Sequence, residues 1–200
     1  MKIYGDLVSG NCYKIKLLCA FLDIAHEWIH TDIMNGDTRT EEFLDKNPNG
    51  KIPLLELEDG RFLGESNAIL FYLAYGSALL PIDRYLKART LEWMFFEQYS
   101  HEPYIAVRRF INKYQGMPAQ RQAEYDSKEA GGRSALTLME KHLARNDYLV
   151  GESLTIADIA LFAYTHVAHE GGFDLAYFPH IEAWIGRVRS QSGFIPMPGD

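Results

Sequence analysis

Three short stretches hold the residue types that can do chemistry. In Gly64-Glu65-Ser66-Asn67 a carboxylate and a hydroxyl stand just ahead of an apolar run, Ala68, Ile69, Leu70, Tyr72 and Leu73. Ser66 and Asn67 cap well, so a helix starts here. Its first N–H groups can hold a carboxylate, because a helix N-terminus is an anion site. In Ile52-Pro53 the proline has no N–H and stands just before a strand. That makes the bond a candidate for the cis form in a tight turn. The backbone of Ile52 can then pair with an extended peptide. In Ser9-Gly10-Asn11-Cys12 a turn runs into a helix. Cys12 reads in two ways, as a small buried residue or as a thiol made reactive by the helix start.

The elements that must position these stretches follow from spacing. Residues 54–57 are an apolar run of strand type, Glu58-Asp59-Gly60 is a turn signal, and residues 61–63 return as a second strand. Ahead of this hairpin come a strand over 2–7 and a helix from Cys12 with Ile15, Leu18, Cys19 and Leu22 on one face. An alternating strand over 26–32 and a short helix over 40–44 follow. A right-handed crossover makes the first two strands parallel, and the hairpin adds an antiparallel pair. The expected division is a first domain over 1–76, a linker over 77–83 and an all-helical domain over 84–200. In the latter, 84–114 reads as one long helix kinked at Pro103, which cannot donate to the carbonyl four residues back. Pro118 starts another helix that residues 123–143 continue, weakened at Gly131-Gly132 by about 1 kcal/mol per glycine. Thr155-Ile156-Ala157-Asp158 is a capping-box start to a helix reaching about residue 170, and Pro179 opens the last helix.

Composition excludes several roles. The chain has 20 basic against 27 acidic residues in 200, a net charge of -7, which argues against nucleic acid as partner. No apolar run of about 18 residues marks a membrane span. Met1 leads directly into a strand, so no signal peptide is expected. Cys12 and Cys19 are seven residues apart on one helix and cannot bridge within it, which fits a reducing cytoplasm. His166 and His169 are at i and i+3 on a helix, but no third ligand accompanies them, so no metal is expected. His101-Glu102 reads as solvated helix surface.

Four motifs in order carry a resemblance: S-G-N-C at 9–12, N-P-N-G-K-I-P at 47–53, G-E-S-N at 64–67 and S-L-T-I-A-D at 153–158. Together they resemble the cytosolic glutathione S-transferases, in particular bacterial serine-type members similar to the theta, delta and zeta classes. The resemblance implies an α/β plus all-α fold: a thioredoxin-like N-terminal domain followed by an all-helical C-terminal domain. It implies an enzyme in which glutathione, as co-substrate, attacks a hydrophobic electrophilic small molecule in a detoxification role, in a cytoplasmic homodimer. Disulfide reduction, isomerisation or binding without turnover are the alternatives it leaves. Ser9, where redox relatives have a cysteine, is the implied donor to the glutathione thiolate, with Asn11 as a second donor. Tyr4 and Tyr13 are not the first choice for that role. Ile52, ahead of Pro53, would exchange backbone hydrogen bonds with the cysteinyl part. Glu65 would accept from the γ-glutamyl ammonium, and Ser66 would bind its carboxylate through hydroxyl and N–H. Lys51 and Arg39 would meet the glycyl carboxylate. Tyr99, Tyr104 and Arg108 are the expected electrophile side.

Overall fold

A computed structural model describes residues 1–199. The contacts divide it into two compact units, Met1–Ser77 with the tail from Ser192, and Ala78–Gln191. The tail is a departure from the expected division, which put it with the helices. Two contacts explain it. Tyr13 Oη donates to Ile195 O at 2.7 Å, and Gly193 lies on the backbone of Ala20.

The first unit is a four-stranded sheet with three helices. Strands β1 (Lys2–Gly5), β2 (Glu27–His30), β3 (Leu54–Glu56) and β4 (Phe62–Leu63) stand in the order β2-β1-β3-β4. β1 is parallel to β2, as the crossover requires, β3 and β4 form the antiparallel hairpin, and β1 also pairs antiparallel with β3. The pleat sends successive side chains to opposite faces. Tyr4 and Leu54, paired across the ladder, form one buried cluster with Phe43 of α2 (Glu41–Lys46). Ile3 and Leu55, paired next to them, are buried on the other face. Helices α1 (Gly10–Phe21) and α3 (Ser66–Ala74) pack on each other. The register Tyr4↔Leu54 sets the end where β1 leaves the sheet beside the end where β3 enters it. The Ser9 turn and the Ile52-Pro53 loop therefore share one end of the sheet.

The second unit is helical: α4 (Arg84–Phe96), α5 (Glu102–Arg109), α6 (Gln122–Ser127), α7 (Glu129–Leu143), α8 (Ile156–Thr165) and α9 (Pro179–Arg189). Every residue of α8 is buried, as expected of a helix that is mostly apolar all round. Three boundaries differ from the sequence reading. The long helix to 114 is divided by π-turns at Glu97–His101 and Phe110–Tyr114, the first absorbing the N–H that Pro103 lacks. The helix over 123–143 breaks at Lys128 instead of at its glycines. Gly131 and Gly132 lie inside α7, where an added Cβ would come within 2.2 Å of the Tyr104 and Phe173 rings, so they admit aromatic neighbours. The helix from Thr155 ends at Thr165 and continues only as a short 3-10 turn over Ala168–Gly171.

The Thr155–Asp158 capping box is present and reaches beyond its helix. Asp158 has no solvent exposure. Its carboxylate accepts from the N–H groups of Leu149 and Thr155, from the Thr155 hydroxyl and from Trp184 Nε1, all at 2.9–3.0 Å. Burial pushes this carboxyl up, and the four donors oppose that. Replacing Asp158 by Ala would strand these donors in the interior, at roughly 1–3 kcal/mol for each left unsatisfied. Urea denaturation of Asp158→Ala should show a loss of at least about 3 kcal/mol; a loss under about 1 kcal/mol would mean that the box is dispensable.

Candidate functional site

Ser9 is the residue before α1, with extended backbone, and its hydroxyl does not cap the helix. It hydrogen-bonds Cys12 instead, which also faces the Asp6 N–H. Cys12 is fully buried. Burial pushes its thiol up to about 12, although Ser9 and the Asp6 N–H both pull the other way. The buried reading of Cys12 is therefore the one that holds. Cys19 is likewise pushed up to about 11 by burial, with Lys16 opposing. Neither nearby tyrosine competes with Ser9. Tyr4 Oη donates to Glu56 at 2.5 Å, and Tyr13 Oη to Ile195 O.

One chain of hydrogen bonds joins the starts of α1 and α3. Lys14 Nζ donates to Ser66 Oγ at 3.2 Å, and Ser66 Oγ donates to Asn11 Oδ1 at 3.1 Å. The Ser66 hydroxyl has only one proton and gives it to Asn11. The hydroxyl that the sequence reading assigned, with the N–H, to a carboxylate is thus bonded to Asn11 in this structure. Lys14 was not among the expected site residues. The available signal was its spacing: Asn11 and Lys14 are at i and i+3, on one face of α1.

Glu65 precedes α3 with φ 65° and ψ 113°, in the left-handed half of the map that non-glycine residues rarely adopt. Strain of this kind, of the order of 1–3 kcal/mol, gathers at functional sites. The Glu65 side chain is exposed and the Ser66 side chain buried. The Ile52-Pro53 bond is cis. Ile52 lies outside the β1–β3 ladder, whose pairing begins at Leu54. The loop before it is held by Asn47, whose Nδ2 donates to Lys51 O at 2.7 Å and whose Oδ1 accepts from Asn49 N–H. Gly50 has φ +60°, and a Cβ there would come within 2.4 Å of the Arg39 guanidinium. Arg39 thus lies against the loop that carries Lys51, and both cations are exposed. Ser9, Asn11, Arg39, Lys51, Ile52, Pro53, Glu65 and Ser66 all belong to the first unit.

The three residues expected on the electrophile side have unlike surroundings. Arg108 is buried, with Nε donating to Gly171 O at 2.8 Å and Nη1 to Tyr125 O at 3.0 Å. The Tyr125 ring lies 3.7 Å from its guanidinium carbon. A guanidinium so engaged holds the helical unit together, so Arg108 is withdrawn from the electrophile side. Beside it Arg109 and Lys113 both bond Glu170. Burial pushes the Glu170 carboxyl up, but these two cations hold it below its ordinary value. The Tyr104 ring packs on Gly131. Tyr99 is 84% exposed. His101, expected at the surface, is buried with Nε2 2.9 Å from Thr165 Oγ1. His166 is buried too and bonds Phe162 O. Among the described residues no three His, Cys, Asp or Glu side chains gather as metal ligands, and no helix is long and apolar enough to cross a membrane.

Two family models match the chain. The one described as glutathione S-transferase, N-terminal domain, covers residues 8–75, and the one described as glutathione S-transferase, C-terminal domain, covers 93–192. A solved structure of a glutathione S-transferase from Pseudomonas fluorescens Pf-5 is similar with a TM-score of 0.96 and 60% identity, over 98% of each chain. The glutathione S-transferase-like protein LUC7 of a Fusarium species is 32% identical over 94% of this chain and 87% of its own. Elongation factor 1-gamma 2 of Oryza sativa subsp. japonica is 28% identical over 96% of this chain, which spans only 47% of that protein.

The burial of both cysteines makes a direct prediction. With the Cys12 thiol at about 12, thiolate at about pH 8 is on the order of one part in ten thousand. Iodoacetamide should leave Cys12 and Cys19 unmodified in the folded protein and label both after denaturation, as read by mass. Rapid labelling of Cys12 in the folded state would contradict its assignment to the core.

Proposed function

Because the chain belongs to the glutathione S-transferase family, we propose that it binds glutathione as co-substrate and turns its sulfur, as thiolate, on a hydrophobic electrophilic small molecule. The observation that carries this reading is the meeting of three segments at one end of the sheet of the first unit: the Ser9 turn, the cis Ile52-Pro53 loop and the Glu65-Ser66 helix start. Glutathione is an extended tripeptide with a free amine, two carboxylates and a thiol, and each has a counterpart. Glu65 takes the γ-glutamyl ammonium, and the Ser66 N–H takes the neighbouring carboxylate at the start of α3. The backbone of Ile52, ahead of Pro53, exchanges hydrogen bonds with the cysteinyl part. Lys51 and Arg39 meet the glycyl carboxylate.

The sulfur lies by the start of α1, where Ser9 donates to it and Asn11 assists. The thiol loses its proton to water, and the sulfur lone pair forms the new C–S bond. The leaving group departs with the electrons of the bond that breaks. A free thiol of this kind titrates near ~8.5, and each unit of lowering corresponds to about 1.4 kcal/mol in favour of the anion. The positive end of α1 and the Ser9 hydroxyl both act in that direction. The exposed Tyr99 is the residue retained for the electrophile side. The active form is a cytoplasmic homodimer.

Calorimetry and initial rates test the reading. Glu65→Ala should weaken glutathione binding by about 1.5–3 kcal/mol, the range for a charge-assisted bond. Ser9→Ala should lower turnover roughly ten- to a thousandfold with little change in affinity. Unchanged affinity in the first variant would move the γ-glutamyl end elsewhere. Turnover of a disulfide panel but of no carbon electrophile would replace transfer by reduction. Light scattering at micromolar concentration should give about twice the 22.9 kDa of one chain, and the mass of one chain would remove the dimer.

A further inference from the structure

We propose that Asn35 is a modification site: its side-chain amide closes on the Gly36 nitrogen, and the residue becomes aspartyl or isoaspartyl. Only two asparagines in the chain, Asn35 and Asn49, precede a glycine. Glycine has no side chain to shield its backbone nitrogen, so these are the pairs best able to close. The Gly36 nitrogen loses its proton and forms a bond to Asn35 Cγ. The bond from Cγ to Nδ2 breaks, and ammonia leaves with its electrons and with that proton. Water then opens the cyclic imide. Opening at Cγ gives aspartate. Opening at the main-chain carbonyl gives isoaspartate, whose backbone runs through the side chain and is one carbon longer.

The fold separates the two pairs. Asn35 is exposed, and its Nδ2 donates to Asp37 Oδ1 at 3.2 Å, which folds the amide back across Gly36. The Gly36 N–H reaches Ile33 O only at 3.4 Å, beyond the usual range of such bonds. Gly36 has φ 82°, and a Cβ there would meet nothing within 4 Å, so no packing restrains it on that side. Asn49 is exposed too, but its glycine is buried. The Gly50 N–H gives a 2.8 Å bond to Asn47 O, and the Arg39 guanidinium lies where a Cβ would stand. Closing that ring costs a good hydrogen bond inside a packed loop.

The product alters the turn that carries Arg39. Asp37 Oδ2 accepts from the Asp32 N–H, and Gly36 O accepts from the Arg39 N–H, both at 2.8 Å. A carboxylate at position 35 removes the donor to Asp37 and sets like charges face to face. An isoaspartyl link also lengthens the backbone just ahead of the carbonyl that Arg39 bonds. Both changes displace Arg39 from the Gly50 loop, and with it one partner of the glycyl carboxylate. This consequence, unlike the modification, rests on the function proposed above.

Peptide mapping by mass tests the modification and needs no ligand. The whole folded protein is aged at mildly alkaline pH and body temperature. The peptide holding Asn35 should gain the mass difference between an acid and an amide, and fragmentation should find the isoaspartyl link in part of it. The peptide holding Asn49 should convert on the order of tenfold more slowly. In urea the two should convert at similar rates. Equal rates in the folded protein, or faster conversion at Asn49, overturn the proposal. So does an unchanged Asn35 after the denatured chain has converted.

Calorimetry tests the consequence. Aged wild-type protein should bind glutathione about two- to fivefold more weakly than fresh protein, the range for an exposed charge pair. Asn35→Gln, whose longer side chain would have to close a larger and slower ring, should keep its affinity when aged alongside. Equal affinity of fresh and aged protein, or equal weakening of the aged variant, overturns the consequence for glutathione. Absence of glutathione binding by fresh wild-type protein sinks the proposed function and this consequence with it, while the mass map judges the modification separately.

Discussion

A single hydroxyl, that of Ser66, ties the first unit together at its working end. It accepts from Lys14 and donates to Asn11, so one oxygen joins the opening turns of α1 and α3. These helices are separated by most of the sheet in sequence, yet they pack on each other. Both present N–H groups, and both carry the positive end of their peptide dipoles there. Two such ends side by side favour an anion between them, and the bonded chain beneath keeps them in register. The strand order contributes the third side, because the antiparallel β1–β3 pairing brings the cis-proline loop to the same edge.

Much of this was legible in the residues, for reasons that can be named. The hairpin announced itself by Asp59-Gly60 between two apolar runs, and Gly60 takes the positive φ of 83° that the turn demands. Thr155 and Asp158 announced the start of α8 by their spacing. Pro53 stood out because a residue without an N–H opened a strand. Each signal is local: the residue acts on backbone within a few positions of itself, so order in the chain is enough to read it.

What was not legible depends on distant neighbours. Gly131 and Gly132 look like weak points until Tyr104 and Phe173 are seen against them. Arg108 looks like a ligand-facing cation until Gly171 and Tyr125 are found receiving its protons. His101 reads as surface because nothing near it in sequence reveals Thr165. Lys14 sits in a helix whose apolar residues suggest nothing polar beneath. The positive φ of Glu65 has no counterpart in its residue type at all, since glutamate does not favour that conformation. Polar groups that end up inside are legible only through their partners, and partners come from the fold.

The closing stretch of the described chain carries one more consequence. Because Ile195 and Gly193 seat against α1, the first unit is discontinuous: its sheet is written before residue 78 and its last piece after residue 191. Seen from the ribosome, the helical unit is an insertion in the text of the first. A nascent chain that has emerged as far as the end of α3 has every strand but lacks the acceptor for the Tyr13 hydroxyl. Domains generally fold in the order of synthesis. Here α1 waits for residues 193–195, made after the whole helical unit, before these contacts are closed.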